Sequence, residues 1–395
     1  MARIVCAWEF GTGLGHVRRL LPIARELRSM GHAVSVAVRD SLYIDHSAAE
    51  GFETFAAPLL REPMDANRAP INSSDILLSL GFSDAPALGG VLRAWRSLFE
   101  AMQPSVLVAD YAPSALLAAG FAGIPRATVG SGFALPPPGN PIPALRPWMP
   151  NDPGVLKAVD DRLVACVHAA AGKAAREIHD APAVFHAEAH ILCTFPEIDP
   201  FGAREGVAYV GPPASDEGGL EVRWQEDAPH RLLAYLKPEV PYFDSLLADL
   251  SGMDAEVIAA VPGIDPARAH AASTGRLRVY PRSVRLEELL PMASLCLSHA
   301  GSGFVARALV AGVPMALLPL QVEQYLIARR VEEAGLGALS PPHRPPPRFG
   351  EWLPRLMASE PMREAARRHA ASHRGYSFAL AARQAAERVA ALAAR

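Results

Sequence analysis

Apolar residues in this chain fall into two kinds of stretch, and the two kinds alternate. Short runs such as Ile4-Val-Cys-Ala-Trp8 read as strands buried on both faces. Between them apolar residues recur at helical spacing, as with Val17, Leu20, Leu21, Ala24 and Leu27 in a helix predicted over 16–30 and ended by Gly31. The pattern predicts strands at 3–10, 33–38, 53–56, 106–109, 126–129 and 189–194. It then restarts, with strands at 232–236, 256–260, 276–280, 295–297 and 315–318. Strands separated by helices imply parallel sheets covered on both faces, so the fold class is α/β with two doubly wound, Rossmann-like domains.

Two stretches break the rhythm. Residues 58–72 form a polar, proline-containing loop. Residues 132–153 are proline-rich, with Phe133, Leu135 and Trp148 among the prolines, and a helix over about 155–178 forms a wall beside them. Long irregular segments inside a compact domain are usually functional or disordered. Val210-Gly-Pro-Pro213 and the acidic residues after it read as an interdomain connection. The expected division is therefore a first domain at 1–214, a linker at 215–228, a second domain at 229–376 and a last helix at 377–395.

Composition narrows the function. A chain of 395 residues, half of them hydrophobic, suffices for two ordinary cores. The net charge of −3 argues against a nucleic-acid partner. Basic residues are nearly all Arg, with Lys only at Lys157, Lys173 and Lys237. The four cysteines, Cys6, Cys166, Cys193 and Cys296, lack C-x-x-C spacing and read as free thiols of a reducing compartment. The chain enters its first strand at once, and no uncharged apolar stretch reaches the roughly twenty residues that span a bilayer. A cytoplasmic protein is expected, monomeric or homodimeric, with peripheral attachment to the inner membrane left open.

The densest chemical signal runs from His299-Ala-Gly-Ser-Gly303 through Gly312-Val-Pro314 to Glu323-Gln324. It reads as strand, small-residue turn, helix, strand and polar turn. The free N–H groups at the start of the helix suit a diphosphate. Polar residues at the carboxyl ends of adjacent parallel strands are where open α/β sheets bind ligands.

This ordered set resembles the donor-binding signature of the family 1 nucleotide-sugar glycosyltransferases, which include macrolide, flavonoid and glucuronosyl transferases. The resemblance implies the GT-B arrangement, two Rossmann-like domains facing across a cleft, with the last helix crossing back to the first domain. It implies that His299, Gly301, Ser302 and Gly303 face the donor diphosphate and that Glu323 and Gln324 hold hydroxyls of the donor sugar.

In the first half, Gly13-Leu-Gly15-His16 lies between the first strand and the first helix. Its glycines miss the G-x-G-x-x-G spacing, because Arg18 stands where the third would be, so a nicotinamide or flavin is not expected. A helix N-terminus disfavours imidazolium, so a neutral His16 can take a proton from a hydroxyl. Asp110 ends the fourth strand and is the carboxylate placed to steady the imidazolium that forms. The resemblance assigns these two positions the same roles, general base and orienting carboxylate. His32, at the far end of the sheet, resembles a structural position.

Three departures from the family pattern matter. A Glu that binds ribose hydroxyls in many relatives is here Arg307, and a cation accepts no hydrogen bonds. Three readings stay open: a deoxyribose donor such as a dTDP-sugar, a phosphate contact, or an arginine turned to solvent. Lys237 stands where relatives carry a small pair, either at a donor phosphate or in solvent. The base-contacting loop is replaced by Tyr280-Pro-Arg-Ser-Val-Arg285, so Ser283, Val284 and Arg285 are expected to contact the base, partly through backbone groups.

The expected reaction is inverting transfer from a UDP- or dTDP-sugar to a hydroxyl of a small apolar acceptor. Phe82, Phe133, Leu135 and Trp148, with Trp8 and Trp95, are candidate walls of the acceptor cavity. No cofactor beyond the nucleotide sugar is expected. No metal is expected either, since the chain shows no Asp-x-Asp pair and no clustered His/Cys ligand spacing. A nucleotide-sugar epimerase and a non-catalytic sugar-nucleotide-binding protein are the alternatives.

Overall fold

A computed structural model describes residues 1–11, 15–39, 44, 47–48, 50–61, 69–213, 219–225 and 228–394. Gly13 and Leu14 of the glycine turn, much of the loop at 58–72 and parts of the expected linker lie outside the described residues. The chain divides into two units. The first comprises Met1–Thr194, Arg204–Ala214 and Ser377–Arg395, the second Phe195–Ala203 and Ser215–Tyr376.

The first unit is built on seven strands: β1 (Arg3–Trp8), β2 (Ala33–Val38), β3 (Glu53–Ala56), β4 (Val106–Asp110), β5 (Arg126–Gly130), β6 (Ala189–Leu192) and β7 (Ala208–Tyr209). They pair in parallel in the order β3-β2-β1-β4-β5-β6-β7. The period of two in β1 splits its side chains between two cores. Ile4, Cys6 and Trp8 join Leu20, Ile23, Leu27 and the last helix on one face. Val5 and Ala7 join Leu88, Trp95 and Leu116 on the other. That last helix, Phe378–Ala393, is capped by the Ser377 hydroxyl and buries Ala381, Ala382, Ala385, Ala386, Val389 and Leu392. Its alanines present little bulk, which lets it lie close to the helix Gly15–Ser29.

The second unit repeats the plan with six strands: β8 (Arg231–Tyr235), β9 (Glu256–Ala260), β10 (Leu277–Tyr280), β11 (Leu295–Ser298), β12 (Met315–Leu317) and β13 (Gly337–Leu339). All pair in parallel, in the order β10-β9-β8-β11-β12-β13. In each unit the strand order reverses beside the first strand, at β1/β4 and at β8/β11. Such a reversal leaves a crevice at the carboxyl ends of the two strands. This is the pair of doubly wound domains expected for the GT-B fold class.

The departures from expectation have local causes. Edge strands β7 and β13 span two and three residues, too short to show an apolar period. The helix expected over 155–178 ends at Ala171, because Gly172 takes a conformation (φ 55°, ψ −127°) that breaks it, and a 3-10 turn follows. The second half of the expected linker is not free chain. Leu220 bridges Val284, Val222 is buried, and the Trp224 indole donates to the Leu289 carbonyl at 3.1 Å. No single helix among the described residues is long and apolar enough to cross a membrane.

Candidate active site

The crevice of the first unit holds His16 and Asp110. Trp8 and Asp110 are register partners at the ends of β1 and β4, and His16 stands in the first turn of the helix that follows β1. His16 Nδ1 lies 3.0 Å from Asp110 Oδ1. The carboxylate accepts, so the proton sits on Nδ1 and Nε2 carries the lone pair. The imidazole stacks on the Trp8 indole with centroids 5.2 Å apart and planes 16° from parallel. Its side chain is 16% exposed and that of Asp110 only 2%. The imidazole is therefore reachable while the carboxylate is sealed.

Residues that the pattern did not single out complete this geometry. Arg19, one turn after His16, places Nε 3.4 Å from the other Asp110 oxygen, so the carboxylate is held from two sides. Gly11, at φ +87°, lies against the ring, where a Cβ would come 2.3 Å from His16 Nε2. Arg39 donates to the Gly11 carbonyl at 3.1 Å and fixes that turn. Tyr111, directly after Asp110, has φ 49°, and its carbonyl accepts from the Phe10 N–H. Non-glycine residues at positive φ cluster where the surrounding structure over-determines the backbone. Of these, Gly11 opens a glycine-rich turn and Arg19 stands three residues after His16, while Arg39 and Tyr111 had no sequence signal.

Glu9 follows β1 and is fully buried. It accepts from the N–H groups of Ser114 and Ala115, in the first turn of the helix Pro113–Phe121. Burial raises its pKa from 4.5 to about 7, against the opposing pull of those hydrogen bonds.

The expected acceptor residues do not come together. Phe82 is fully buried in the core, as are Trp8 and Trp95, so none of these three lines an open cavity; Trp148 is on the surface, 41% exposed. Phe133 is buried in the segment that follows β5. Leu135 does face open space, in two neighbouring cavities. One, of about 810 Å³, is lined by Leu117, Phe121, Leu135, Phe185, Arg126 and His190 among others. The other is small and lies among Tyr111, Gly130, Gly132, Leu135 and Phe185, beside Asp110 in sequence. Arg204 pins the segment between them, donating to the carbonyls of Leu135 at 2.6 Å and Gly132 at 2.8 Å.

The crevice of the second unit holds His299 and Lys237, the counterparts of Asp110 and the β1 end. The His299 ring is committed within the protein. Nδ1 donates to the Leu318 carbonyl at 2.8 Å, and Nε2 accepts from the Lys237 N–H at 3.0 Å. Burial, then the Lys237 charge, pulls its pKa below the usual histidine range, so the ring is neutral. His299 thus braces the ends of β8, β11 and β12 against each other. The Lys237 side chain is exposed. Ala300 sits at φ 59°, and Gly301 caps the helix Ser302–Ala311 without a side-chain bond. A Cβ at Gly301 or Gly303 would meet nothing within 4 Å, so this helix start faces open space.

The other residues expected at the donor are each engaged within the protein or half-buried. Gln324 is buried, and its Oε1 accepts from the Leu320 N–H at 2.8 Å, which orients the start of the helix Val322–Glu333. Glu323 beside it is half-buried. Arg307 pairs with Glu287 at 2.5 Å and is only 13% exposed, which excludes the solvent reading of this residue. In the β10 loop, the Ser283 carbonyl and the Arg285 N–H are taken by Leu220, and the Val284 side chain is in the core. The backbone contacts to a base expected from these two groups are thus already used. Arg285 extends outward near Glu221.

Known proteins match at several levels. Residues 244–375 match the family model described as erythromycin biosynthesis protein CIII-like, C-terminal domain. An L-demethylnoviosyl transferase of Streptomyces niveus is 26% identical over 345 residues, covering 84% of this chain and 83% of that one. Among solved structures, the calicheamicin glycosyltransferase CalG4 aligns over 100% of this chain and 98% of its own, with TM-score 0.71 and 23% identity. The glycosyltransferase VinC, solved in complex with dTDP, aligns over 100% of both chains with TM-score 0.65 and 16% identity. At these identities the structural likenesses speak for the fold.

Proposed function

We propose that this chain, which belongs to the family 1 nucleotide-sugar glycosyltransferases, moves a sugar with inversion from a nucleoside diphosphate to a hydroxyl of a small natural-product acceptor. The observation that carries the mechanism is the His16–Asp110 pair at the crevice of the first sheet, with Nε2 left as the basic nitrogen. The acceptor hydroxyl gives its proton to His16 Nε2, and Asp110 Oδ1 stabilises the imidazolium through Nδ1–H. The acceptor oxygen bonds to the anomeric carbon as the bond from that carbon to the diphosphate breaks. The nucleoside diphosphate leaves with the electron pair. Its charge is met by the uncapped start of the helix Ser302–Ala311 and by Lys237, a use of oriented dipoles and charge that asks for no metal ion. In this reading His299 shapes the site rather than donating to phosphate, since both its nitrogens are engaged.

A dTDP-linked donor is the favoured nucleotide. Arg307 has replaced a carboxylate that would accept ribose hydroxyls, and deoxyribose lacks the 2′-hydroxyl that such a carboxylate serves. The structurally similar VinC binds dTDP, which supports the same choice. The acceptor is an apolar aglycone seated among Tyr111, Leu135 and Phe185, and the relatives' natural-product substrates support that class.

The test separates chemistry from binding. Replacing His16 by Ala lowers transfer by a factor on the order of 10²–10⁴, the usual range for a lost general base. Thermal stabilisation by dTDP stays as in the native protein, because the donor contacts lie elsewhere. Undiminished transfer by that variant rules out His16 as the base. Failure of dTDP, UDP, GDP and ADP alike to raise the melting temperature counts against the donor site.

A further inference from the structure

Away from the crevices, three side chains of the second unit converge. One ligand atom each from Glu197, His369 and His373 lies within 4.8 Å of the other two. Glu197 stands in the 3-10 turn Pro196–Ile198. His369 is in the last turn of the helix Glu360–Ser372 and His373 is its C-cap. The two histidines stand four positions apart, so their rings share one helix face, with centroids 4.5 Å apart.

The hydrogen bonds show where the lone pairs point. His373 Nδ1 lies 3.0 Å from the His369 carbonyl, which only accepts, so the proton is on Nδ1. Nε2 is then a lone-pair nitrogen, 3.9 Å from Glu197 Oε2 and too far for a hydrogen bond. A backbone carbonyl fixing one ring nitrogen while the other stays basic is the usual arrangement of a metal-bound histidine. His369 Nε2 and Glu197 Oε2 are both buried without a hydrogen-bond partner. Buried polar atoms are normally paired, so two orphans in one cluster ask for a common ligand. The Phe195 ring packs edge-on against His373 at 4.4 Å and Tyr376 lies 5.0 Å beyond it, which gives the cluster an apolar wall.

We infer that Glu197, His369 and His373 form a binding site for a divalent transition-metal ion, zinc foremost, with water as the fourth ligand. Two imidazoles and one carboxylate are a nitrogen-rich set that suits zinc and its neighbours, whereas calcium and magnesium take oxygen ligands. With bonds of about 2.0–2.1 Å the ligand atoms must close up around the ion, which small side-chain rotations allow. The ion would tie the segment Phe195–Ala203 to the end of a helix far away in sequence. The chain first enters this unit at Phe195 and last leaves it at Tyr376, so the tie joins two segments of the unit that lie close to those points. Its role is structural, and it stands independently of the glycosyl-transfer mechanism.

The test uses the full chain, stripped of metal with a chelator and dialysed. Cobalt(II) should add a visible absorption band that saturates at about one equivalent and is displaced by zinc. Zinc should also raise the melting temperature of the stripped protein. Glu197→Gln and His373→Ala should each weaken cobalt binding at least tenfold and abolish the zinc-dependent rise, while His186→Ala, an exposed histidine of the first unit, should leave both unchanged. Should His373→Ala fail to fold, Glu197→Gln, which changes one atom on a turn, decides alone. No cobalt band in the native protein, or equal binding by native and Glu197→Gln protein, overturns the inference.

Discussion

At Gly11 a side chain and the His16 ring would compete for one space. Any side chain there would push into His16 Nε2, since a Cβ would lie 2.3 Å away, and would strain a backbone at φ +87°. Gly11→Ala is therefore expected to lower kcat at least tenfold while leaving nucleotide affinity unchanged, measured by steady-state kinetics beside nucleotide titration. Equal kcat would show that the ring is not held where the mechanism needs it. The same scale explains what could be read without a structure. His16 and Asp110 were legible because a strand end and a helix start place their side chains at one edge of a sheet. The Glu287 partner of Arg307 was not, since nothing local marks which of many carboxylates a guanidinium will meet. The four-residue spacing of His369 and His373 stood in the sequence and departs from the expectation of no His/Cys ligand spacing; the convergence of Glu197 on them could not be read there.

The element that lines the cavities of the first unit, and in the proposed reading the acceptor side, is the proline-rich segment after β5. Its conformation owes much to Arg204, whose guanidinium holds the carbonyls of Gly132 and Leu135. Arg204→Ala is expected to raise the acceptor KM several-fold with a smaller change in kcat. Hydrogen exchange over 132–138 should quicken in the variant, and unchanged exchange would assign the segment's order to its prolines alone. Periodicity alone predicted this stretch as irregular, and it is; which of its residues face a cavity depended on a partner some seventy positions away. Likewise the strands carrying the sites were plain in the apolar runs, whereas β7 and β13 were not, because edge strands so short bury too few residues to leave a period.

For the molecule as a whole, Glu9 sets a pH dependence of stability. Its folded-state pKa of about 7 lies above the ordinary 4.5, so the folded protein holds a proton that the unfolded chain releases between those values. Stability from this group is then fully present below pH 4.5 and is lost as pH rises towards 7. The span corresponds to at most roughly 3 kcal/mol. Glu9→Gln cannot ionise, so its melting temperature should gain on that of the native protein between pH 5 and pH 8. A constant difference across that range would show that Glu9 titrates normally.

The amino-acid order by itself determined the repeating strand–helix plan, the two-domain class and the strand ends near which His16, Asp110 and His299 stand. Those features follow from local periodicity and from backbone rules that act within a few residues. Tertiary structure alone decided the rest. It put β1 beside β4 and β8 beside β11, buried Phe82 while leaving Leu135 at a cavity, and turned His299 into a brace. It also drew Glu197 to two distant histidines. These outcomes depend on which surfaces meet, and a contact between residues far apart in the chain leaves no period to read. The signature at His299 thus lies at the crevice of the second sheet, while the surroundings of each of its residues are set by what packs around it.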